Sequence, residues 1–342
     1  MPCYNAGWCL DKCLSSFFSE TSGISDKLEI IIINDGSTDD TLKIASEYEG
    51  KYPDIFLVID KPNGGHGSGI NAAIKQASGK YFKVIDADDW VLTENLGVFL
   101  DMLSVSNADV ILTHFHTVDM TSSKKKEYKT RDIQLDKLYT LDKFTMLSGE
   151  IYNCTVLHGL TYRTEIYRKS GTVLSEGIFY EDQEYATLPF LSVEKIFPAD
   201  MFLYEYMIGN VNQSVSDKNQ VKRLSHIEQV TKKLFGFYKE CKNSGISGGK
   251  LRYAARKATD MLLSYYVIAM IKNPDKRAGR FEAERIRREL SEIAPELVSS
   301  TNAKYRLAKI MNRLRFNGKT LELMKNPLPY AIFRKLFKKN RG

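Results

Sequence analysis

Residues 28–33 read Leu-Glu-Ile-Ile-Ile-Ile and stop at Asn34-Asp35-Gly36. Four isoleucines in a row offer no polar face to water. Such a run suits a strand covered on both sides, as in a parallel sheet whose crossovers are helices. Asn-Asp-Gly is a turn signal. Ser37 or Thr38 can cap a helix over 39–48 with acids in its first turn. The alternation then repeats. Residues 55–59 form a second apolar run, 63–69 a glycine-rich loop, 70–77 a helix ended by Gly79, and 81–85 a third strand. A helix over 95–104 and a strand over 109–113 follow. Repeated strand–helix–strand units predict an α/β fold with a mostly parallel, Rossmann-like, doubly wound sheet.

Residues 122–130 read as a loop or edge hairpin. The chain resumes with 154–162, 177–185 and a strand-like segment over 195–208. From about 221 apolar residues recur at spacings of three and four, predicting helices over 221–240, 251–271 and 280–293. We therefore divide the chain into a region over 1–218 and a helical C-terminal region over 219–342.

Composition excludes several classes. The 342 residues are 43% hydrophobic and 27% charged with a net charge of +7, which suits a globular protein. No dense basic stripe points to nucleic acid. The five cysteines have no zinc-site spacing, and buried or free thiols are the simplest account. The apolar stretch 261–271 is too short to span a bilayer. No basic segment followed by an apolar run opens the chain, so a cytoplasmic location is expected. Residues 327–342 combine apolar residues with Arg334, Lys335, Lys338, Lys339 and Arg341. That pattern fits either a packing helix or peripheral contact with an anionic membrane.

In an open parallel sheet, ligands bind beyond the carboxyl ends of the strands. Three acidic groups fall there: Asp35, then Asp86, Asp88 and Asp89, then Glu181 and Asp182. Carboxylates gathered at one sheet edge repel unless a cation joins them. Asp-x-Asp after a strand supplies oxygen ligands of the kind Mg²⁺ and Mn²⁺ prefer. The plainer explanation is that Asp86–Asp89 ends a strand and caps a helix.

The set Pro2-Cys3-Tyr4-Asn5, Asn34-Asp35-Gly36-Ser37-Thr38-Asp39, Asn63-Gly64-Gly65, Asp86-Ala87-Asp88-Asp89 and Glu181-Asp182 resembles family 2 of the glycosyltransferases in order and spacing. The resemblance covers about residues 1–217 and implies the GT-A fold. It implies that Tyr4 and Asn5 lie beside the nucleoside of a UDP-sugar donor, with Asp35 on the uracil ring. Asn63 and Gly65 would border the donor, and Asp86 and Ala87 the ribose or sugar. Asp88 would hold Mn²⁺ or Mg²⁺, and Asp182, with Glu181 beside it, would be the general base. The implied reaction inverts the anomeric centre and passes sugar to a glycan or lipid-linked acceptor in cell-surface polysaccharide assembly. His158 is an acceptor candidate or a core histidine. Asn212 and Ser214 lie in a segment similar to a loop that closes over the diphosphate in relatives, or in a plain surface turn.

The sequence departs from the family pattern twice. Met1 falls where an apolar strand would end, so the first strand reads as truncated and should leave apolar surface uncovered. Ile70-Asn71 stands where many relatives carry Arg-Asn, and His66 with the extra glycines reshapes the pocket there, His66 being either a donor contact or an exposed loop histidine. Two rivals follow. A catalytically inactive nucleotide-sugar-binding module would suit these departures. Gly67-Ser68-Gly69-Ile70-Asn71-Ala72 fits the dinucleotide pattern of an NAD-dependent oxidoreductase, although its glycines do not turn straight off a strand.

Overall fold

The computed structural model describes residues 1–18, 25–209 and 216–324. The chain divides into two compact units. The first holds residues 1–211 with 241–254, and the second holds 212–240 with the residues after 254.

The isoleucine run becomes β2 (Ile30–Asp35), the centre of a three-stranded parallel sheet between β1 (Pro2–Cys3) and β3 (Phe56–Lys61). All six β2 residues are buried, as a strand covered on both faces requires. Helices α1 (Leu10–Ser15), α2 (Thr41–Lys51) and α3 (His66–Gln76) accompany this sheet. Helix α1 was not legible in the sequence, and α3 begins four residues before the expected start at 70.

A second, seven-stranded sheet contains β4 (Tyr81–Phe82), β5 (Trp90–Val91), β6 (Val110–Asp119), β7 (Lys125–Tyr128), β8 (Tyr139–Thr140), β9 (Leu160–Arg163) and β10 (Lys195–Ile208). Its order is β4-β9-β6-β10-β5, with β7 beside β6 and β8 beside β10. Only β6 and β10 run parallel in it. The expected parallel sheet thus holds for β1–β3, whereas the second sheet is mixed. The polar segment 122–130 does form an edge hairpin strand, β7. The strand expected over 81–85 is shorter, because the chain leaves the β9 ladder after Phe82.

The first unit holds an apolar cavity of about 470 Å³. Ile30 and Ile31 of β2, Ala73 of α3, Phe82 of β4, and Phe99 and Leu103 of helix α4 (Thr93–Val105) line it. β1 is two residues long, and the Met1 amino group donates to the Ile31 carbonyl at 2.8 Å.

Within the first unit, Tyr253 stacks on Phe190 with ring centroids 3.8 Å apart and donates to the Ala186 carbonyl. The expected C-terminal helices are Leu224–Asn243, Gly248–Tyr266 with a π-helical continuation Val267–Lys272, and Lys276–Ile293. In the second unit Arg285 pairs with Glu228, Glu282 and Glu289. No described helix is long and apolar enough to cross a membrane. The basic tail 327–342 lies outside the described residues.

Candidate active site

The turn after β2 is built to hold the glycine-rich loop. Gly36 has φ +70, and a Cβ there would meet the Asn63 nitrogen at 2.8 Å. Asp35 is buried and accepts from the Gly64 amide at 3.0 Å, the Gly65 amide at 2.7 Å and Lys61 Nζ at 2.5 Å. Both its oxygens are therefore engaged by the loop and Lys61, and a contact to uracil would have to compete with those bonds. Asn5 sits at φ 49, and its side chain accepts from the Thr38 amide at 2.9 Å, fastening the same turn. Tyr4 is 56% exposed, open to a ligand.

Helix α3 starts at His66, and its ring reaches two acids from distant parts of the chain. Nε2 lies 2.8 Å from Asp86 Oδ1, and Nδ1 lies 2.7 Å from Glu181 Oε1. Burial opposes charge on the ring, but the two carboxylates outweigh it and hold His66 well above the ordinary histidine value. Asp86 in turn stays below the ordinary carboxyl range: burial raises it, and His66 more than offsets that. The resemblance placed Asp86 and Glu181 in one site, and the structure brings them together through a residue whose role the sequence left open.

Asp88 is half-buried, and burial together with the charge of Asp86 pushes its carboxyl up to about 6. A carboxyl beside a second negative charge with little to offset it fits an incoming divalent cation. Asp89 is different. It is buried, and accepts from Tyr204 Oη at 2.6 Å and from the Met207 amide at 2.7 Å, so it anchors β10. Ligand atoms of Asp86, Asp89 and His158 also lie within 4.8 Å of one another, a second way to gather cation ligands here. His158 stacks on Tyr206 at 4.0 Å, and burial lowers it to about 4, so its ring is neutral at pH 7. Burial, then the charges of Asp89, Asp86, Asp88 and Asp182, raise the Tyr206 phenol.

Asp182 begins the short helix Asp182–Tyr185, and Gln183 Nε2 donates to its Oδ2 at 2.8 Å. The segment before it is held from several sides. Glu184, fully buried, accepts from the Ser175 amide and hydroxyl at 2.8 and 2.7 Å. Asn71 Nδ2 donates to the Leu174 carbonyl and to Glu176, and the Gly177 amide donates to the Gly64 carbonyl. Sequence reasoning missed Asn71 and Glu184 as fasteners; the only signal was Asn71 within the expected Arg-Asn position.

The dinucleotide pattern dissolves here. Gly67 and Gly69 lie inside α3, where a Cβ on Gly67 would meet the Ser175 carbonyl at 2.3 Å and one on Gly69 would meet Pro2 at 2.9 Å. They are packing glycines, not a phosphate turn. Asn63 is exposed, and Gly65 has φ +85 directly before the helix. Ala87 is buried between Asp86 and Asp88. Asn212 and Ser214 lie outside the described residues.

Comparisons with known proteins point to one family. The family described as Glycosyl transferase family 2 matches residues 1–169. The chain is 26% identical over 219 residues to a poly(ribitol-phosphate) beta-glucosyltransferase of Bacillus spizizenii, a match covering 63% of this chain and 33% of that protein. This chain thus spans only a third of that relative's length. It is 25% identical to the uncharacterized glycosyltransferase EpsJ of Bacillus subtilis, covering 77% and 76%. Among solved structures, S. aureus TarS 1–349 in complex with UDP-GlcNAc superposes with a TM-score of 0.62 at 17% identity, covering 92% of this chain and 90% of that one, which is a likeness of fold. On its motifs, its fold and these matches, the chain belongs to the family 2 glycosyltransferases and has the GT-A fold.

Proposed function

We propose that this protein transfers a sugar, with inversion, from a UDP-sugar to a hydroxyl of a glycan or lipid-linked acceptor at the cytoplasmic face, in cell-surface polysaccharide assembly. One observation carries the reading: Asp86, from the Asp-x-Asp turn, and Glu181, beside Asp182, meet across the ring of His66. An acid for the donor side and an acid for the acceptor side then share one cleft, as a single displacement needs. Tyr4 and Asn5 lie beside the nucleoside. Asn63, Gly65, Asp86 and Ala87 border the ribose and sugar. Asp35 holds the Gly64 and Gly65 amides and bonds the uracil ring.

Asp88, with Asp86 beside it, would hold Mn²⁺ or Mg²⁺. When bound, that cation neutralises the charge that develops on the diphosphate leaving group. Asp182 accepts the proton of the attacking hydroxyl as its oxygen bonds to the anomeric carbon and the nucleoside diphosphate departs. A positioned base of this kind contributes about 10²–10⁴-fold in rate. The Bacillus spizizenii relative's name specifies a poly(ribitol-phosphate) acceptor, which supports a surface polymer as the acceptor class.

The test is a panel of nucleotide sugars assayed with and without Mn²⁺, on the wild type and on Asp182→Asn. Metal-dependent turnover of one UDP-sugar, lost by about 10²-fold or more in Asp182→Asn, is expected. Binding without turnover would make the protein an inactive sugar-nucleotide module. Full turnover in Asp182→Asn would remove Asp182 as the base.

A further inference from the structure

We propose that His66 is a positioning residue that fixes the spacing between the donor-side acid Asp86 and the segment carrying Glu181 and Asp182. The inference rests on the transferase reading, and it concerns a residue that the family motif set did not include.

Three observations carry it. First, both ring nitrogens are engaged, at 2.8 Å with Asp86 and at 2.7 Å with Glu181. A rigid five-membered ring with a carboxylate on each nitrogen sets both the distance and the angle between two groups, which a flexible lysine would not do. Second, the backbone around His66 is itself pinned to the acceptor-side segment. A Cβ on Gly67 would meet the Ser175 carbonyl at 2.3 Å and Glu181 Cγ at 3.0 Å, so only glycine allows the loop this close. Third, that segment contains a non-glycine residue in the left-handed region, Tyr180 at φ 74. Such backbone costs free energy and persists where its surroundings fix it. His66 supplies one fixing contact, beside those from Asn71, Glu184 and Gly64.

The consequence is a link between two halves of the reaction. Asp86 sits 20 residues from His66 in sequence and Glu181 sits 115 away. The loop that borders the donor thereby holds Glu181, the neighbour of the base Asp182. Without the ring, two carboxylates face each other across an unfilled gap and repel. The base then drifts from the attacking hydroxyl, and a displacement of about 1 Å is enough to cost on the order of 10²-fold in rate.

The experiment uses His66→Ala and His66→Asn in the full chain. The Asn variant keeps a polar side chain too short to reach both acids. The expected result is a fall in kcat of about 10–100-fold with donor KM changed less than about threefold, partly restored in His66→Ala by added imidazole. A purely structural histidine would show neither the split nor the rescue. Either kcat unchanged in both variants or KM raised with kcat intact would overturn the proposal, the latter making His66 a donor contact. Hydrogen exchange decides the matter independently of turnover. Amide protection across 175–185 should fall in both variants, and unchanged protection there would refute the positioning role. Should the wild type turn over no nucleotide sugar, the transferase reading falls while the exchange result still judges His66.

Discussion

Two glycines, each inside a helix, should respond to the same substitution with opposite signs. Gly97 lies in α4, is exposed, and has nothing within 4 Å of a built Cβ. Alanine there gains helix propensity alone, about 0.8–1 kcal/mol. Gly67 lies in α3 and gains the same propensity, but its Cβ would meet the Ser175 carbonyl at 2.3 Å and Leu174 Cβ at 3.3 Å. That carbonyl cannot step aside cheaply. Ser175 is tied to Glu184 through both its amide and its hydroxyl, at 2.8 and 2.7 Å. Overpacking against fixed backbone costs about 1–3 kcal/mol, and the fixed neighbour puts this site at the upper end. After the propensity gain, Gly67→Ala should lose about 2 kcal/mol net. Thermal melts should place Gly97→Ala about 2 °C above the wild type and Gly67→Ala several degrees below it. Urea midpoints should rank the three proteins in the same order. A Gly67→Ala variant as stable as the wild type would refute the close approach of α3 to the 174–181 segment.

Other outcomes follow from buried groups and unfilled volume. Burial holds Lys83 down to about 7, while its Nζ donates to the His158 carbonyl at 2.7 Å. Between about pH 7 and the ordinary lysine value the unfolded chain binds a proton that the folded chain does not, so Lys83 makes stability rise with pH across that window, by at most about 1.4 kcal/mol per pH unit. Lys83→Met should flatten that rise in denaturation midpoints measured from pH 7 to 10, and an unchanged slope would disprove the assignment. Ala73 lines the cavity of about 470 Å³, so Ala73→Leu should fill space without overpacking and stabilise by about 1 kcal/mol in urea titrations. A loss of stability there would mean that the cavity is not available to a side chain.

What the sequence revealed, and what it withheld, divides along the range of the forces involved. The isoleucine run announced β2 because burial on both faces is written into consecutive residues. The segment 195–208 was legible as β10 for a related reason, its isoleucines, phenylalanines and tyrosines gathered over a long span. The start of α3 was not legible. Local propensity assigns 66–69 to a loop because Gly67 and Gly69 disfavour helix, yet these glycines are what let the helix lie against Ser175 and Pro2. Asp89 looked like one more acid in an Asp-rich turn; its partners Tyr204 and Met207 lie over a hundred residues on. His66 shows the same limit most plainly. Its chemistry depends on Glu181, and no local pattern could connect the two.

The split into two sheets has a consequence for how the molecule reaches its working form. β2 meets β1 and β3 through short crossovers, with Ile30 opposite Phe56, so the three-stranded sheet closes from contacts near in sequence. The second sheet does not. Val110 must find Ile196, and Tyr81 must find Arg163, before either ladder exists. Closing such long loops is slow, because the entropy is lost before the contacts reward it. The glycine-rich loop and Asp35 belong to the early sheet, while Asp86 and Glu181 take their places only with the late one. Catalytic competence is then among the last properties the folding chain acquires, and recovery of activity during refolding should lag behind the burial of β2.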